Sequence, residues 1–252
     1  MIFVIMIDSF ILRCWESGYS GTIYTAAVVV ALLAQLVSLL CYSKDFGFTA
    51  KRAFLIFILV YPFLFFWMYF ITWAEYGFEG WGVKYMLRVY MWIPLFFIPY
   101  SKLLKIPYGK LCDYFAPGLA LSSLFGHIAC PIAGCCYGYP CSWGIYNPVL
   151  HDRRFPIQWI ECLASLFIFI FLVIYLRKNN YDCRGKALAF FLIFFGAARF
   201  IGQFFRDNTK LFWGISELAV CAFFTFFSGF VMLLIVSRVS GNSNQDAERI
   251  KP

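Results

Sequence analysis

Several side chains that carry charge or exchange a proton fall within, or at the ends of, stretches otherwise built from Phe, Ile, Leu and Ala: Arg88, His127, Glu161, Arg199, Arg206 and Glu217. An ionisable group at membrane depth costs roughly 3 kcal/mol or more, so each is a functional candidate unless a partner or the interface satisfies it. Arg199, Gln203 and Arg206 recur at i, i+4 and i+7, one stripe of a helix. Two guanidiniums on one stripe suit an anion, which arginine grips with a fixed fork of donors. Gln158 and Glu161, at i and i+3 on a facing helix start, offer a donor for a hydroxyl or ester and a carboxylate that can hold an arginine. His127, ahead of loop His151, is suited by type to act as a base near neutral pH. Gly126, Gly134 and Gly138 let backbone approach a ligand at the same level. The competing reading makes the charged groups ion pairs that bind a helix bundle, with Arg206 snorkelling and His127 a hydrogen-bonded packing residue.

Ten cysteines are present, six of them scattered singly. Cys130, Cys135, Cys136 and Cys141 cluster on one side, and their closeness predicts that one or two disulfides brace that segment if it faces an oxidising compartment. Adjacent cysteines with no histidine in register form no standard zinc spacing, so no metal is expected.

These groups need elements to position them. Of 252 residues, 62% are hydrophobic, 22% aromatic and 13% charged, where globular chains carry roughly a quarter charged. That apolar surface exceeds what one small core buries, which excludes a soluble fold and makes lipid the solvent. The net charge of +8 comes from cations placed singly or in small groups at the ends of apolar stretches. Such placement encodes insertion topology, and it excludes nucleic acid as a partner.

The fold class expected is an all-α membrane protein with about seven transmembrane helices: Ile23 to Cys41, Ala53 to Thr72, Tyr85 to Tyr100, Tyr114 to Ile132, Ile157 to Leu176, Ala187 to Phe205 and Phe212 to Val236. Met1 to Leu12, interrupted by Asp8 and followed by Arg13, Trp15 and Glu16, reads as a retained amphipathic segment. The organisation is then an interfacial segment over 1–22, a membrane domain over 23–239 and a disordered cytoplasmic tail over 240–252. Lys and Arg concentrate after the first, third, fifth and seventh spans, at Lys44, Lys51 and Arg52, at Lys102, Lys105 and Lys110, at Arg177, Lys178, Arg184 and Lys186, and at Arg238, Arg249 and Lys251. Those faces are cytoplasmic by the positive-inside rule, which puts the N-terminus out and the C-terminus in. Glu75, Glu79, Lys84, Arg153, Arg154 and Lys210 fall on the outer side, as do the candidate site groups.

Ordered motifs in the second half resemble the prolipoprotein diacylglyceryl transferases. Asp113-Tyr-Phe-Ala-Pro117 is similar to the family's D-x-x-A-P, and Gly126-His-Ile-Ala-Cys130 through Gly138 to a variant of its G-R-x-G-N-F-x-N-x-E-x-x-G segment ending G-C-C-Y-G. Phe155-Pro-Ile-Gln-Trp-Ile-Glu161 resembles H-P-[ST]-Q-L-Y-E, and Ala198-Arg-Phe-Ile-Gly-Gln-Phe-Phe-Arg206 resembles R-F-x-x-E-F-x-R. Gly214-Ile-Ser216 is a weaker likeness to the start of the last span. The chain departs from the pattern at His127 for arginine, Cys130 for asparagine, Cys135 for glutamate, Phe155 for histidine and Gln203 for glutamate, and it lacks the H-G-G segment.

The resemblance implies an enzyme that moves diacylglycerol from phosphatidylglycerol to the lipobox cysteine of prolipoproteins, at the outer face of a bacterial-type plasma (inner) membrane and without a cofactor. Arg199 and Arg206 would hold the leaving phosphate, oriented by Glu161 and Glu217, with His127 as base. Gly134, Gly138, Gln158 and Gln203 would contact the lipid together with an early tyrosine, Tyr19 or Tyr24. The alternatives are a transferase of the same build with another acceptor or phospholipid, and a nonenzymatic lipid-binding or transport protein.

Overall fold

The computed structural model describes residues 2–77, 86–207 and 215–249. Helix α1 (Ile2–Glu16) leads into α2 (Ser20–Tyr42), α3 (Ala50–Tyr76), α4 (Met86–Leu104) and α5 (Tyr108–Ala129). Strands β1 (Pro140–Asn147) and β2 (Asp152–Arg154) follow, then α6 (Ile157–Lys178), α7 (Lys186–Gln203) and α8 (Glu217–Arg249). The side chain of Glu75, residues Glu79, Lys84 and Lys210, the predicted span starts at Tyr85 and Phe212, and tail residues 250–252 lie outside what is described.

Helices α2, α3, α6, α7 and α8 each contain a stretch long and apolar enough to cross a membrane. The protein is therefore a helical membrane protein. Among the other predicted spans, α4 carries Pro94, Pro99 and Lys102, and α5 carries Lys110, Asp113 and His127, which interrupt their apolar runs. Helix α6 displays how lipid and bundle divide one sequence. Glu161, Ser165, Ile168, Leu172 and Leu176 recur at helical spacing and are buried, while Leu163, Phe167 and Ile174 between them are exposed. The whole stripe, its polar members included, thus faces protein, and the apolar side chains between its members face outward, where hydrocarbon would lie.

Asp113 sets α7 against α5. Its carboxylate accepts hydrogen bonds from Gly185 N at 2.8 Å and Ala187 N at 2.9 Å, so a side chain on one helix caps the start of another. Four N–H groups at a helix start lack intrahelical partners, and a buried carboxylate satisfies two of them while matching the positive end of the dipole. Helix α8 then packs along α7 so closely that a Cβ at Gly229 would lie 2.7 Å from the Leu192 Cβ.

Between Tyr137 and Pro156, where the sequence predicts no element, β1 and β2 pair antiparallel, with Tyr146 opposite Arg153 and Asn147 opposite Asp152. Asn147 Oδ1 makes the turn by accepting from Val149 N at 2.9 Å and Leu150 N at 3.1 Å. Helix α1 docks here through Asp8, which accepts from Tyr146 N at 2.9 Å and Arg153 Nη2 at 2.7 Å. Arg154 pairs with Asp152 inside the hairpin at 2.7 Å and ties the hairpin to Asp207 at 2.5 Å.

Some predicted ends move. Helix α5 ends at Ala129 rather than near Ile132, because Pro131 cannot continue the ladder. Helix α7 ends at Gln203, so Arg206 sits beyond the helix and not on its stripe. Glu217 is the first residue of α8 instead of lying one to two turns inside it, and α8 runs on to Arg249, past Val239.

Candidate functional site

Glu161 stands in the first turns of α6 between two arginines from the end of α7. Arg199 Nη1 donates to Glu161 Oε1 at 2.6 Å, and Arg206 Nη2 donates to Oε2. All three side chains are buried. Gly202 makes the approach possible, since a Cβ there would lie 3.0 Å from Glu161 Oε1. Two guanidiniums against one carboxylate leave one buried cation for a second anion to balance, a place open to the neighbouring Cys136 sulfur or to a bound anionic group. Among the described residues the Nε groups of Arg199 and Arg206 have no hydrogen-bond partner.

His127 completes the cluster, and its tautomer follows from its neighbours. Nδ1 lies 2.7 Å from the Ser123 carbonyl, which can only accept, so Nδ1 carries the proton. In the neutral ring Nε2 then accepts from Arg199 Nη1 at 2.9 Å. Glu161 Oε2 is 3.3 Å from the same nitrogen. A proton arriving at Nε2 would exchange the arginine donor for the carboxylate acceptor.

Arg206 is held by backbone. Its residue bridges Gly138, with Tyr139 N donating to Phe205 O at 3.1 Å and Asp207 N donating to Tyr137 O at 3.4 Å. Position 138 must be glycine, because a Cβ would lie 2.6 Å from Phe155 O and 2.8 Å from Phe205 O. The preceding turn reverses at Gly134, whose φ is +66°, and carries Cys135 and Cys136 back toward Cys130 at the end of α5. The three sulfurs lie within 4.8 Å of one another, and Cys141 stands apart on β1. All four are free thiols. Bracing assigned in the sequence to disulfides is supplied here by Gln158 Nε2 donating to Cys135 O at 3.0 Å and Asn147 Nδ2 donating to Gly134 O at 3.2 Å. Hydrogen bonds from Cys130 and Cys135, with Arg206 and Arg199 nearby, hold the Cys136 thiol well below its ordinary range.

A cavity of about 400 Å³ opens beside this cluster. Its polar end is formed by His127, Arg199 and the three thiols, and its apolar walls include Leu64, Ile93 and Phe195. Tyr24 lines it, whereas Tyr19 is 63% exposed, which separates the two early tyrosines. A larger groove of about 690 Å³ between α4 and α8, walled by Met91, Trp92 and Phe227, holds none of these groups.

Other predicted residues fall elsewhere. Glu217 pairs with Arg88, so the carboxylate that orients Arg199 and Arg206 is Glu161. Gln203 Oε1 accepts from Ser216 Oγ at 3.4 Å, and exposed His151 sits in the hairpin turn, 3.3 Å from the Tyr146 hydroxyl. The sequence missed Tyr90 and Ser123 in the cavity wall. Ser123 Oγ donates to Leu119 O at 2.9 Å, so the Tyr90 hydroxyl donates to Ser123, also at 2.9 Å. Hydroxyls on otherwise apolar helices were the available signal.

A lipid-exposed helical bundle enclosing buried guanidiniums beside a cavity with one polar end defines a membrane protein suited to an amphiphile with an anionic head. The sequence profile of the prolipoprotein diacylglyceryl transferases matches residues 31–235, and the chain belongs to that family. It is 32% identical over 141 residues to phosphatidylglycerol–prolipoprotein diacylglyceryl transferase 2 of Clostridium perfringens, covering 52% of this chain and 54% of that one. Against the transferase of Clostridium tetani it is 29% identical over 126 residues, 47% of this chain and 49% of the relative. Against that of Dehalococcoides mccartyi the identity is 27% over 129 residues, 48% and 49% of the two chains. The chain spans about half the length of the curated relatives it matches.

Proposed function

We propose that the protein transfers diacylglycerol from phosphatidylglycerol to the lipobox cysteine of prolipoproteins, at the outer face of a bacterial plasma membrane. The observation that carries this reading is the buried Arg199–Glu161–Arg206 cluster, two guanidiniums on one carboxylate, beside a cavity polar at one end and apolar along its walls. In the reaction the acceptor sulfur forms a bond to the glycerol carbon next to the phosphate. The carbon–oxygen bond breaks, and glycerol phosphate leaves with the bonding electrons. Arg199 and Arg206 stabilise that departing anion, and His127 Nε2 receives the thiol proton. Gln158 and Gly138 act by holding the loop and Arg206 in place, and Tyr24 borders the lipid.

Seven spans with the N-terminus out and the C-terminus in accompany this reading. They are supported by the alternation of Lys and Arg between successive helices. The same orientation puts the cluster near the outer leaflet.

A lipid-binding protein without transfer is the second reading, favoured by the replacement of motif residues at His127, Cys130 and Cys135. Release of glycerol phosphate from phosphatidylglycerol vesicles on addition of purified protein and a lipobox peptide separates the two. Transfer requires release that depends on the peptide; binding without release supports the second.

A further inference from the structure

The thiol cluster lies beside the phosphate-suited arginines, and a thiol acceptor needs no three extra thiols to react. We propose that Cys130, Cys135 and Cys136 form a zinc site whose fourth position faces the cavity and takes the acceptor thiol. The fourth-ligand part rests on the function proposed above; the three-sulfur site does not.

Their geometry is close to what zinc demands. Three sulfurs on one tetrahedral zinc, each at about 2.3 Å, sit about 3.8 Å from one another. Here all three lie within 4.8 Å, so closure takes a contraction of at most about 1 Å. Chain spacing alone hides this set, because the pattern is no standard zinc signature. The turn at Gly134 creates it by folding Cys135 and Cys136 back over Cys130.

Backbone around the sulfurs is fixed by side chains from elsewhere in the fold. Gln158 holds the Cys135 carbonyl and Asn147 holds the Gly134 carbonyl, the kind of outer support that keeps metal ligands in place. Three sulfurs without a carboxylate select a soft or borderline ion over magnesium or calcium. Arg206 faces Cys136. A guanidinium repels a bare cation, but three thiolates around Zn²⁺ make a unit of net charge −1, which the arginine stabilises.

Three protein ligands and one open position is the arrangement of catalytic zinc sites. All three cysteines line the cavity that also contains His127 and Arg199, so the open side is the side a substrate would enter. An acceptor thiol bound there gives its proton to His127 Nε2 and stays on zinc as thiolate. Its sulfur lone pair then forms the carbon–sulfur bond while the carbon–oxygen bond to phosphate breaks. No oxidant or reductant enters.

The test uses the full chain purified from membranes in detergent without chelator, its zinc measured by mass spectrometry, followed by removal of metal and titration with Co²⁺ alone. The site predicts one zinc per chain and a sulfur-to-cobalt charge-transfer absorption that saturates at one Co²⁺. Cys130→Ser and Cys136→Ser abolish it, and Cys41→Ser and Cys141→Ser keep it. Should the first two variants fail to fold, the wild-type titration alone decides. A lipobox peptide, but not its Cys-to-Ser counterpart, should shift the visible cobalt bands. Wild-type protein with neither stoichiometric zinc nor a charge-transfer band, or with a disulfide joining two of the three, overturns the site. A band indifferent to the peptide thiol overturns the fourth-ligand assignment. A peptide-induced shift without any lipidated product upholds the zinc site and removes the transferase reading instead.

Discussion

Arg199 Nη1 and Glu161 Oε1 lie 2.6 Å apart across α7 and α6, and the same carboxylate also takes Arg206, so one anion serves two buried cations. Removing the anion should hurt more than removing one cation. Glu161→Ala strands both guanidiniums and is expected to cost about 3 to 5 kcal/mol of stability, whereas Arg206→Met leaves a balanced pair and costs less. Thermal unfolding in detergent ranks the two. An Arg206→Met protein less stable than Glu161→Ala would contradict the shared-carboxylate arrangement.

Asp113 accepts from the first N–H groups of α7 at 2.8 and 2.9 Å. Asp113→Ala should lower stability by about 1 to 2 kcal/mol, the usual range for a lost cap, and Asp113→Asn by less because one acceptor remains. Chemical denaturation of both variants checks the order. An Asn variant as weak as the Ala variant would show that charge, and not acceptor geometry, governs the contact.

Gly126 and Gly138 predict opposite outcomes for the same change. A Cβ at Gly138 meets two carbonyl oxygens within 2.8 Å, while one at Gly126 meets nothing within 4 Å. Gly138→Ala should separate the loop from the Arg206 turn and cost about 1 to 3 kcal/mol, with loss of transfer. Gly126→Ala should stabilise α5 by up to about 1 kcal/mol through helix propensity. Paired unfolding and transfer measurements decide it; equal effects at the two positions would refute the close approach at Gly138.

Helices were legible because periodicity is local: runs such as Ile157 to Leu176 state both length and buried face. Glu161, Arg199 and His127 were legible because charge in an apolar helix has few explanations. Arg206 was assigned to the right partner region but to the wrong element, since its turn is fixed by pairing with Gly138 across a gap that no local pattern encodes. The same holds for Asp113, whose partners at Gly185 and Ala187 are distant in sequence, and for the hairpin, which α1 and Asp207 hold in place. Glu217 is equivalent to Glu161 in sequence, a carboxylate near the start of an apolar helix, and only packing assigns it to Arg88.

The proposed orientation puts the hairpin outside and the α4–α5 connection inside. Ser142 is exposed on β1 and Lys102 is exposed at the end of α4. On a cysteine-free background, Ser142→Cys should react with an impermeant thiol reagent in intact cells and Lys102→Cys only after lysis. The reverse pattern would invert the topology.

The central claim is transfer with Arg199 and Arg206 holding the departing phosphate. Its most direct measurement is mass spectrometry of a lipobox peptide incubated with phosphatidylglycerol and purified protein, run beside Arg199→Lys and Arg199→Ala proteins shown to elute as normal particles. The account predicts a peptide heavier by one diacylglyceryl group. The rate of its formation should fall by roughly 10- to 150-fold in the alanine variant, the equivalent of about 1.5 to 3 kcal/mol of transition-state stabilisation, and be partly restored by lysine, which lacks the fixed fork of donors. An unmodified peptide with the wild-type protein, or undiminished transfer by a folded Arg199→Ala protein, would contradict it.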